Sequence, residues 1–311
     1  MPPAQRKTVF QRKGDPYLYL FANREWYCYN PSEDPLGSGA MGTVWRGYRV
    51  KDGDQIAIKK VKDEYVNIPI IRERARLESS MAFRHQNLIE MIGCCMVNPT
   101  NGPIWLLSKF VSGQEIDQYC KLLSDGPQKI ETLSKCICQV LDALEYIHGN
   151  GIIHRDIKPS NIMVENESNA RLMDLGIACM NGGNKFSQFG FIGTPQYAAP
   201  EQVTRNANKV LPISAATDIY ALGVTFYELL SGTNPFDSES EMETLARQIR
   251  DPLPDSNLIP KQLMRVLLKA TEKEQNKRYQ TAGEFREAIQ NAIVQPPTFW
   301  ERIKDMFKIQ S

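Results

Sequence analysis

The sequence predicts an α+β fold in which a small antiparallel sheet with one helix precedes a larger, mostly helical part. Short runs of strand-forming residues, separated by turn residues, fill the chain up to about residue 108. Helical periodicity then recurs over residues 133–148, 219–230 and 284–294, where apolar side chains return every three to four positions. A chain of 311 residues can hold one large domain or two lobes that share a cleft.

Composition narrows the possible functions. The net charge of +1 argues against a protein that binds nucleic acid or a membrane surface in bulk, because both partners require a strong basic field. The seven cysteines show no zinc-type spacing, so we expect reduced thiols in a cytoplasmic protein. No apolar run reaches the roughly 18 residues of a membrane span, and the N-terminus lacks the apolar segment of a secretion signal.

Residues 1–24 are predicted to form a basic N-terminal arm that carries an aromatic stretch, Tyr17–Phe21. Two alternatives stay open for this arm: an extra strand or cover on the sheet, or a segment that docks on a partner. Trp26–Tyr29 then predicts a strand, because aromatic residues favour extended backbone.

A glycine-rich stretch, Leu36–Val44, follows that strand. Glycines at this spacing also open dinucleotide-binding folds, but there a helix comes next. Here strand-forming residues follow and lead to a hairpin turn at residues 51–54. Without side chains, Gly37, Gly39 and Gly42 allow backbone amides to approach phosphate oxygens.

A cluster of polar residues follows a short buried strand predicted at Ile152–Ile153. Asp156 can accept a proton, and Lys158 places a fixed positive charge two residues further on. Asn161 offers an amide oxygen, and Asp174 offers a carboxylate after the next apolar stretch. An amide and a carboxylate can share a hard divalent cation such as Mg²⁺.

These residues resemble the motifs of protein kinases. His154-Arg155-Asp156-x-Lys158-x-x-Asn161 resembles the catalytic loop of that family, and Asp174-Leu175-Gly176 resembles its metal-binding triplet. Gln55–Lys59 is similar to the strand that carries the ATP-binding lysine. The resemblance implies a bilobal protein-kinase fold, with an N-lobe over residues 25–108 and a C-lobe over residues 109–294.

The resemblance also implies transfer of the ATP γ-phosphoryl group to protein substrates. Asp156 would take the proton of the acceptor hydroxyl, and Lys158 would offset charge on the transferring group. Lys59 would position ATP, while Asn161 and Asp174 would hold Mg²⁺, or Mn²⁺ in its place. The implied nucleotide-binding residues are Leu36, Gly37, Ser38, Gly39, Ala40, Met41, Gly42, Thr43, Val44, Ala57, Lys59, Lys109, Val111 and Glu115. For Glu115, a ribose contact and a favourable contact with a helix dipole both stay open.

Lys59 should also have a glutamate partner on the helix that follows its strand. Glu73 and Glu78 are five residues apart, about 140° around a helix, so only one of them can face the lysine. Glu78 lies nearer the centre of the apolar side marked by Ile71 and Leu77, and we predict that it is the partner.

Several residues of the second part indicate the substrate class. Thr194 together with Lys158 resembles the pattern of serine/threonine kinases, and Gly193–Gln202 looks most like the bacterial members of that class. The resemblance implies that Arg155 binds a phosphate on the loop before Gly193, with Ser187 as the candidate acceptor. An unmodified serine is an equally open alternative.

Three further residues would have structural roles in this family. Asp218 would anchor the loop backbone, and Arg278 would pair with Glu201. Two positions depart from the family pattern: Leu175 replaces a phenylalanine, and Tyr220 stands where tryptophan is frequent.

Residues 295–311 predict an amphipathic C-terminal tail, which could dock on its own lobe or contact a partner or a membrane surface. A nucleotide-binding pseudokinase scaffold is the main alternative function. It is disfavoured because Lys59, Asp156, Asn161 and Asp174 are all present. A small-molecule phosphotransferase is disfavoured because it typically lacks the segment that resembles Gly193–Glu201.

Overall fold

A computed structural model describes residues 8–39, 41–80, 83–166, 168–174, 179–180, 193–204 and 212–294. Within these ranges, the side chains of residues 70, 74, 78–80, 179–180 and 294 are not described. The chain divides into two compact units, one from Met1–Gly113 and Leu172–Cys179, the other from Gln114–Arg171 and Met180–Ser311. The lobe limits drawn from the sequence stay predictions.

The described part of the first unit is an antiparallel sheet with one helix. Its strands are β1 (Val9–Gln11), β2 (Leu18–Ala22), β3 (Glu25–Tyr29), β4 (Gly37–Ser38), β5 (Gly42–Arg49), β6 (Gln55–Val61), β7 (Met91–Met96) and β8 (Ile104–Lys109), with helix α1 at Pro69–Ser80. The strand order is β1-β2-β3-β5-β6-β8-β7, and β4 pairs with β5. The strand–glycine loop–strand arrangement expected from the sequence is therefore present.

Side chains alternate along β6 and pack into a different apolar cluster on each face of the sheet. Ile56 and Ile58 are buried in a core that includes Tyr27, Tyr29 and the opposing strands. Residues between them along the strand point to the other face, because side chains alternate along a strand. On that face α1 covers a second apolar cluster, made of Val61, Val66, Ile71, Ala75, Ile104 and Leu106.

The N-terminal residues belong to this sheet. β2 pairs with β3 along its whole length, and its Leu20 and Ala22 are 0% and 4% exposed in the core. Phe10 of β1 stacks on Tyr19 of β2. Of the two alternatives for this region, the structure has the extra strand over residues 9–22, since the alternating apolar residues of β2 complete the core.

One predicted strand begins later than expected. The apolar run at residues 88–93 predicts a strand that begins at Leu88, whereas β7 begins at Met91 and carries an irregularity before Gly93. Leu88 instead forms a parallel bridge with Leu172, and the Ile89 amide donates to the Leu172 carbonyl. These backbone groups therefore hold the chain that leads to Asp174.

The second unit is mostly helical, as predicted. Its helices are α2 (Ile116–Leu122), α3 (Pro127–Gly149), α4 (Pro200–Val203), α5 (Ala215–Ser231), α6 (Glu241–Arg250), α7 (Lys261–Ala270) and α8 (Ala282–Val294). Short strands are β9 (Gln114–Glu115), β10 (Ile152–Ile153), β11 (Ile162–Glu165), β12 (Asn169–Leu172) and β13 (Cys179–Met180). Within the described ranges, no helix has both the length and the hydropathy to cross a bilayer.

Two helices form the centre of this unit. α3 begins with a proline at its first turn and ends before Gly151, whose φ of 76° stops the helix. α5 is buried along almost its whole length, which its unbroken apolar composition requires. The short polar segment after β10 is therefore attached to the most buried part of the unit.

Candidate active site

Strand register places three predicted nucleotide-binding residues on one face of the first unit's sheet. Val44 of β5 lies directly opposite Lys59 of β6. Ala57 is two residues before Lys59, so it points to the same face. All three are half-buried, on the opposite face from Ile56 and Ile58. A small apolar surface therefore adjoins a lysine.

The glycine-rich stretch forms a tight hairpin beside this face. The Gly39 amide donates to the Gly42 carbonyl at 2.9 Å, and the Leu36 amide donates to the Val44 carbonyl at 2.8 Å. A Cβ built on Gly37 or Gly39 meets nothing within 4 Å, whereas one on Gly42 lies 2.5 Å from the Lys60 carbonyl oxygen. The hairpin tip is therefore open, and its base is closely packed.

The remaining residues of this stretch have mixed surroundings. Leu36 is 47% exposed, and Met41 packs against the apolar cluster under α1. Ser38 and Thr43 lie opposite each other, and their hydroxyl oxygens are 3.1 Å apart. Ala40 lies outside the described residues.

Lys59 forms an ion pair with Asp174, the predicted metal ligand. Lys59 Nζ is 2.6 Å from Asp174 Oδ2. The Asp174 backbone has a φ of 59°, in the left-handed region that aspartate tolerates better than most residues. Sequence reasoning had assigned the two residues separate roles, and the structure brings them into direct contact.

The glutamate partner of Lys59 stays a prediction. Glu73 is exposed on α1, whereas the Glu78 side chain lies outside the described part of the structure.

Residues 109–115 include three more of the predicted nucleotide contacts. The Lys109 amide donates to the Glu90 carbonyl at 2.9 Å, so its N–H is already engaged in the sheet. Val111 is half-buried. Glu115 lies in β9 opposite Met163, and burial raises the pKa of its carboxyl. No hydrogen bond from the Glu115 side chain caps helix α2.

The polar loop of the second unit brings Asp156, Lys158 and Thr194 together. Lys158 Nζ lies 3.0 Å from Asp156 Oδ2 and donates to Thr194 Oγ1 at 2.8 Å. The Thr194 hydroxyl in turn donates to Asp156 Oδ1 at 2.8 Å. Each carboxylate oxygen thus has its own donor, and the carboxylate orientation is fixed.

Asn161 is bonded back to the same aspartate. Its Nδ2 donates to the Asp156 carbonyl at 2.7 Å, and its side chain is almost fully buried. Because the amide nitrogen is committed to Asp156, the amide oxygen is the atom that can ligate a cation.

Asp218 holds the backbone of this loop, as the resemblance implied. Its carboxylate accepts hydrogen bonds from the His154 and Arg155 amides at 2.8 Å and 2.7 Å, and His148 Nε2 lies at 2.8 Å. Burial alone would raise the pKa of this carboxyl, but these bonds outweigh it and lower the pKa. Arg155 has a φ of 70°, so the carboxylate stabilises a strained backbone.

Residues 31–293 match the family model of the protein kinase domain. The chain belongs to the protein kinase domain family. The fold class predicted from the sequence, an antiparallel sheet with one helix followed by a helical part, is confirmed by this match and by the two units described above.

Mycobacterial kinases are among the relatives of this kinase domain. Serine/threonine-protein kinase PknB of Mycobacterium leprae is 30% identical over 274 residues, which cover 85% of this chain and 43% of that protein. PknB of Mycolicibacterium smegmatis is 31% identical over 261 residues, 81% of this chain and 41% of that protein. PknH of Mycobacterium bovis is 29% identical over 266 residues, 84% of this chain and 43% of that protein. The chain thus spans about two-fifths of the length of these relatives.

The kinase domain also contains the predicted buried ion pair. Arg278 donates to both carboxylate oxygens of Glu201, at 2.7 Å and 2.9 Å, and both side chains are 0% exposed. Thr217 of α5 adds a third hydrogen bond to Glu201, at 2.8 Å. The pair therefore attaches the start of α4 to the centre of the second unit.

Sequence reasoning missed Gln202. Its Nε2 donates to the Arg155 carbonyl at 3.0 Å, and its Oε1 accepts from the Ala199 amide at 3.0 Å. The available signal was a glutamine at the third position of a helix that starts with Pro200, a pattern typical of helix capping. Ser187, Leu175 and the tail at residues 295–311 lie outside the described residues.

Proposed function

We propose that this kinase domain transfers the γ-phosphoryl group of ATP to serine and threonine hydroxyls of protein substrates. The observation that carries the proposal is the bonding of Asp156, whose carboxylate lies 2.8 Å from Thr194 Oγ1 and 3.0 Å from Lys158 Nζ. A carboxylate held in a fixed orientation can align an acceptor hydroxyl and take its proton. The neighbouring lysine can offset negative charge on the transferring group.

The residues present suit a metal-bound triphosphate. Lys59 beside Asp174 pairs a cation for phosphate oxygens with a carboxylate for a divalent cation. The open tips at Gly37 and Gly39 leave room for phosphates to approach the backbone. When bound, Mg²⁺-ATP, or Mn²⁺-ATP, supplies the phosphoryl group and much of the charge neutralisation.

The residues of the candidate site then have distinct roles. Lys59 would position the phosphates, and Asn161 and Asp174 would hold the metal through their side-chain oxygens. Asp156 holds the acceptor hydroxyl and receives its proton, so catalysis rests on positioning and charge rather than on a covalent intermediate. Glu78 is the proposed partner of Lys59, and Leu36, Val44 and Ala57 are proposed to contact the base.

We also place this activity in the cytoplasm. Cys95, Cys120 and Cys136 are buried thiols in the described structure, not disulfides, which suits a reducing compartment. ATP is available there as the phosphoryl donor.

The test is mass spectrometry of a generic basic acceptor protein after incubation with Mg²⁺-ATP. We expect phosphoserine and phosphothreonine in the acceptor. Lys59→Met and Asp156→Asn should each lower kcat/KM by at least about 100-fold, because they remove phosphate positioning and the proton acceptor. Lys60→Met is the matched control, since Lys60 lies on the same strand and pairs only weakly with Asp63, at 3.4 Å. It should stay within about twofold of the wild type.

Two results would contradict the proposal. One is turnover by the Asp156→Asn variant equal to that of the wild type. The other is nucleotide binding by the wild type without any transfer, which would favour the pseudokinase scaffold.

A further inference from the structure

A buried polar side chain holds the turn that follows Thr194. Gln248 of α6 is 0% exposed, and its Nε2 donates to the carbonyls of Pro195 and Gln196 at 3.1 Å and 2.6 Å. Its Oε1 accepts from the Tyr220 hydroxyl at 2.6 Å. The side-chain amide of Gln248, on helix α6, thus connects the turn at Pro195–Tyr197 to helix α5.

Lys273 determines which groups donate and which accept in this set of hydrogen bonds. Its Nζ donates to the Tyr220 oxygen at 2.7 Å and to the Gln248 carbonyl at 2.8 Å. In its protonated form Lys273 can only donate, so the tyrosine oxygen then accepts from Lys273 and its own proton points to Gln248 Oε1. That in turn fixes the Gln248 amide with its NH₂ group toward the turn. Hydrogen bonds in such a chain strengthen one another in a buried site.

The turn is held at its other end by the catalytic loop. Thr194 immediately precedes it, and the Thr194 hydroxyl connects Lys158 to Asp156. Consecutive residues 194–196 are therefore fixed from two directions, by the proposed proton acceptor on one side and by Gln248 on the other. A protein acceptor must bring its hydroxyl to Asp156, and it must do so alongside this half-buried turn.

Tyr220 is the residue that joins Lys273 to Gln248 in this arrangement. By the resemblance to protein kinases, Tyr220 stands where tryptophan is frequent. An indole N–H can donate but cannot accept from a lysine, so tryptophan could not connect Lys273 to Gln248. The tyrosine is fully buried, and burial raises the pKa of its hydroxyl, which keeps it protonated as a donor.

We propose that Tyr220, Gln248 and Lys273 are positioning residues that fix the backbone of residues 194–196 and thereby align the protein acceptor at Asp156. This inference rests on the proposed kinase activity. It separates the two substrates: we expect the three residues to act on the acceptor and not on ATP, since the hydrogen bonds described here join them to one another and to the turn after Thr194.

Steady-state kinetics with each substrate varied in turn tests the proposal. Tyr220→Phe removes only the hydroxyl, and Gln248→Met removes the whole amide at similar volume. We expect KM for the acceptor to rise about threefold in the first and about tenfold in the second, with KM for ATP within about twofold. Thr225→Val is the matched control, because Thr225 lies buried on α5 with Tyr220 and, within the described residues, its hydroxyl bonds to the Ala221 carbonyl at 2.8 Å rather than to the turn. It should leave both KM values unchanged.

Hydrogen exchange provides a second readout that does not depend on activity. Amides of a peptide covering residues 194–204 should exchange faster in Tyr220→Phe and Gln248→Met than in the wild type, and not in Thr225→Val. Equal changes in both KM values, or unchanged exchange in Tyr220→Phe, would overturn the inference.

The two readouts also separate this inference from the proposed function. If the wild-type protein transfers no phosphate, the proposed function fails, and exchange alone decides whether the three residues hold the turn. If Gln248→Met does not fold, Tyr220→Phe still tests the inference, because it removes a single oxygen atom and should leave the fold intact.

Discussion

Two glycines of the same hairpin are required for different physical reasons. At Gly42 a Cβ would lie 2.5 Å from the Lys60 carbonyl, a backbone atom that can move only if the pairing of β5 with β6 opens. At Gly39 a Cβ would meet nothing within 4 Å. Close packing against the sheet therefore requires glycine at position 42, whereas the fold would accept a side chain at position 39.

Alanine substitution should separate these two requirements. Gly42→Ala should lower the free energy of unfolding by about 2 kcal/mol through backbone overlap, whereas Gly39→Ala should change it by less than about 0.5 kcal/mol. Gly39→Ala should instead raise KM for ATP, because its methyl group occupies space next to the phosphates. Denaturant unfolding and steady-state kinetics measure the two effects. Equal loss of stability in both variants would contradict the distinction.

Two residues of the candidate site have a backbone conformation in the left-handed region. Arg155 and Asp174 have φ values of 70° and 59°, although neither is glycine. Each is held by specific contacts: Asp218 binds the Arg155 amide at 2.7 Å, and Lys59 binds the Asp174 carboxylate at 2.6 Å. Strained residues persist only where their surroundings fix them, and such residues concentrate at functional sites.

At the scale of elements, helix α5 organises the second unit. Three of its buried polar residues each hold a different segment: Thr217 binds Glu201, Asp218 binds the catalytic loop, and Tyr220 binds Gln248. Gly223 of the same helix lies so close to α7 that a Cβ would come within 2.9 Å of Thr271. One helix therefore combines close packing with the placement of the site.

The contact between α5 and the segment after α7 should make stability depend on pH. Burial is the main cause that lowers the pKa of Lys273 to about 7, and Arg278 lowers it further, while Asp251 and Glu272 oppose the shift. The folded pKa lies below the unfolded value of 10.5, so the unfolded chain binds more protons between these values. Stability should therefore rise as the pH increases from about 7 toward 10, by up to about 1.4 kcal/mol per pH unit.

Comparison of the wild type with Lys273→Met isolates this contribution. We expect the difference in unfolding free energy between the two proteins to vary with pH above about 7 and to be constant below it. Lys261→Met is the control, since Lys261 is exposed on α7. A pH dependence unchanged in Lys273→Met would show that another group is responsible.

At the scale of the whole molecule, the two N-terminal strands, β1 and β2, belong to the first unit's sheet. The family match starts at residue 31, yet β1 and β2 extend the first unit's sheet back to residue 9. Leu20 belongs to the same core cluster as Tyr27 and Ile58. A boundary at residue 24 would therefore cut through a hydrophobic core.

Truncation should show this directly. Deletion of residues 1–24 should lower the thermal unfolding temperature strongly, because it uncovers the core face of β3. Leu20→Ala should cost about 2–5 kcal/mol, whereas Leu18→Ala, at a half-buried position on the same strand, should cost less than about 1 kcal/mol. An unchanged unfolding temperature in the truncated protein would favour the free arm over the extra strand.

Much of the fold and of the candidate site could be predicted from the sequence. Local patterns predicted the helices at α3, α5 and α8, and the spacing from Asp156 to Asn161 predicted a catalytic loop, because these features depend on residues close together in the chain. The start of β7 was predicted too early. Leu88 pairs with Leu172, a long-range bridge that no local pattern indicates.

The sequence by itself determined the family, the order of sheet and helices, and the residue types needed for phosphoryl transfer. Only the tertiary structure decided that Lys59 contacts Asp174, and that Tyr220, Gln248 and Lys273 hold the turn after Thr194. The reason is physical: motifs are set by bonded geometry over a few residues, whereas these contacts join side chains that come together only when buried surfaces pack.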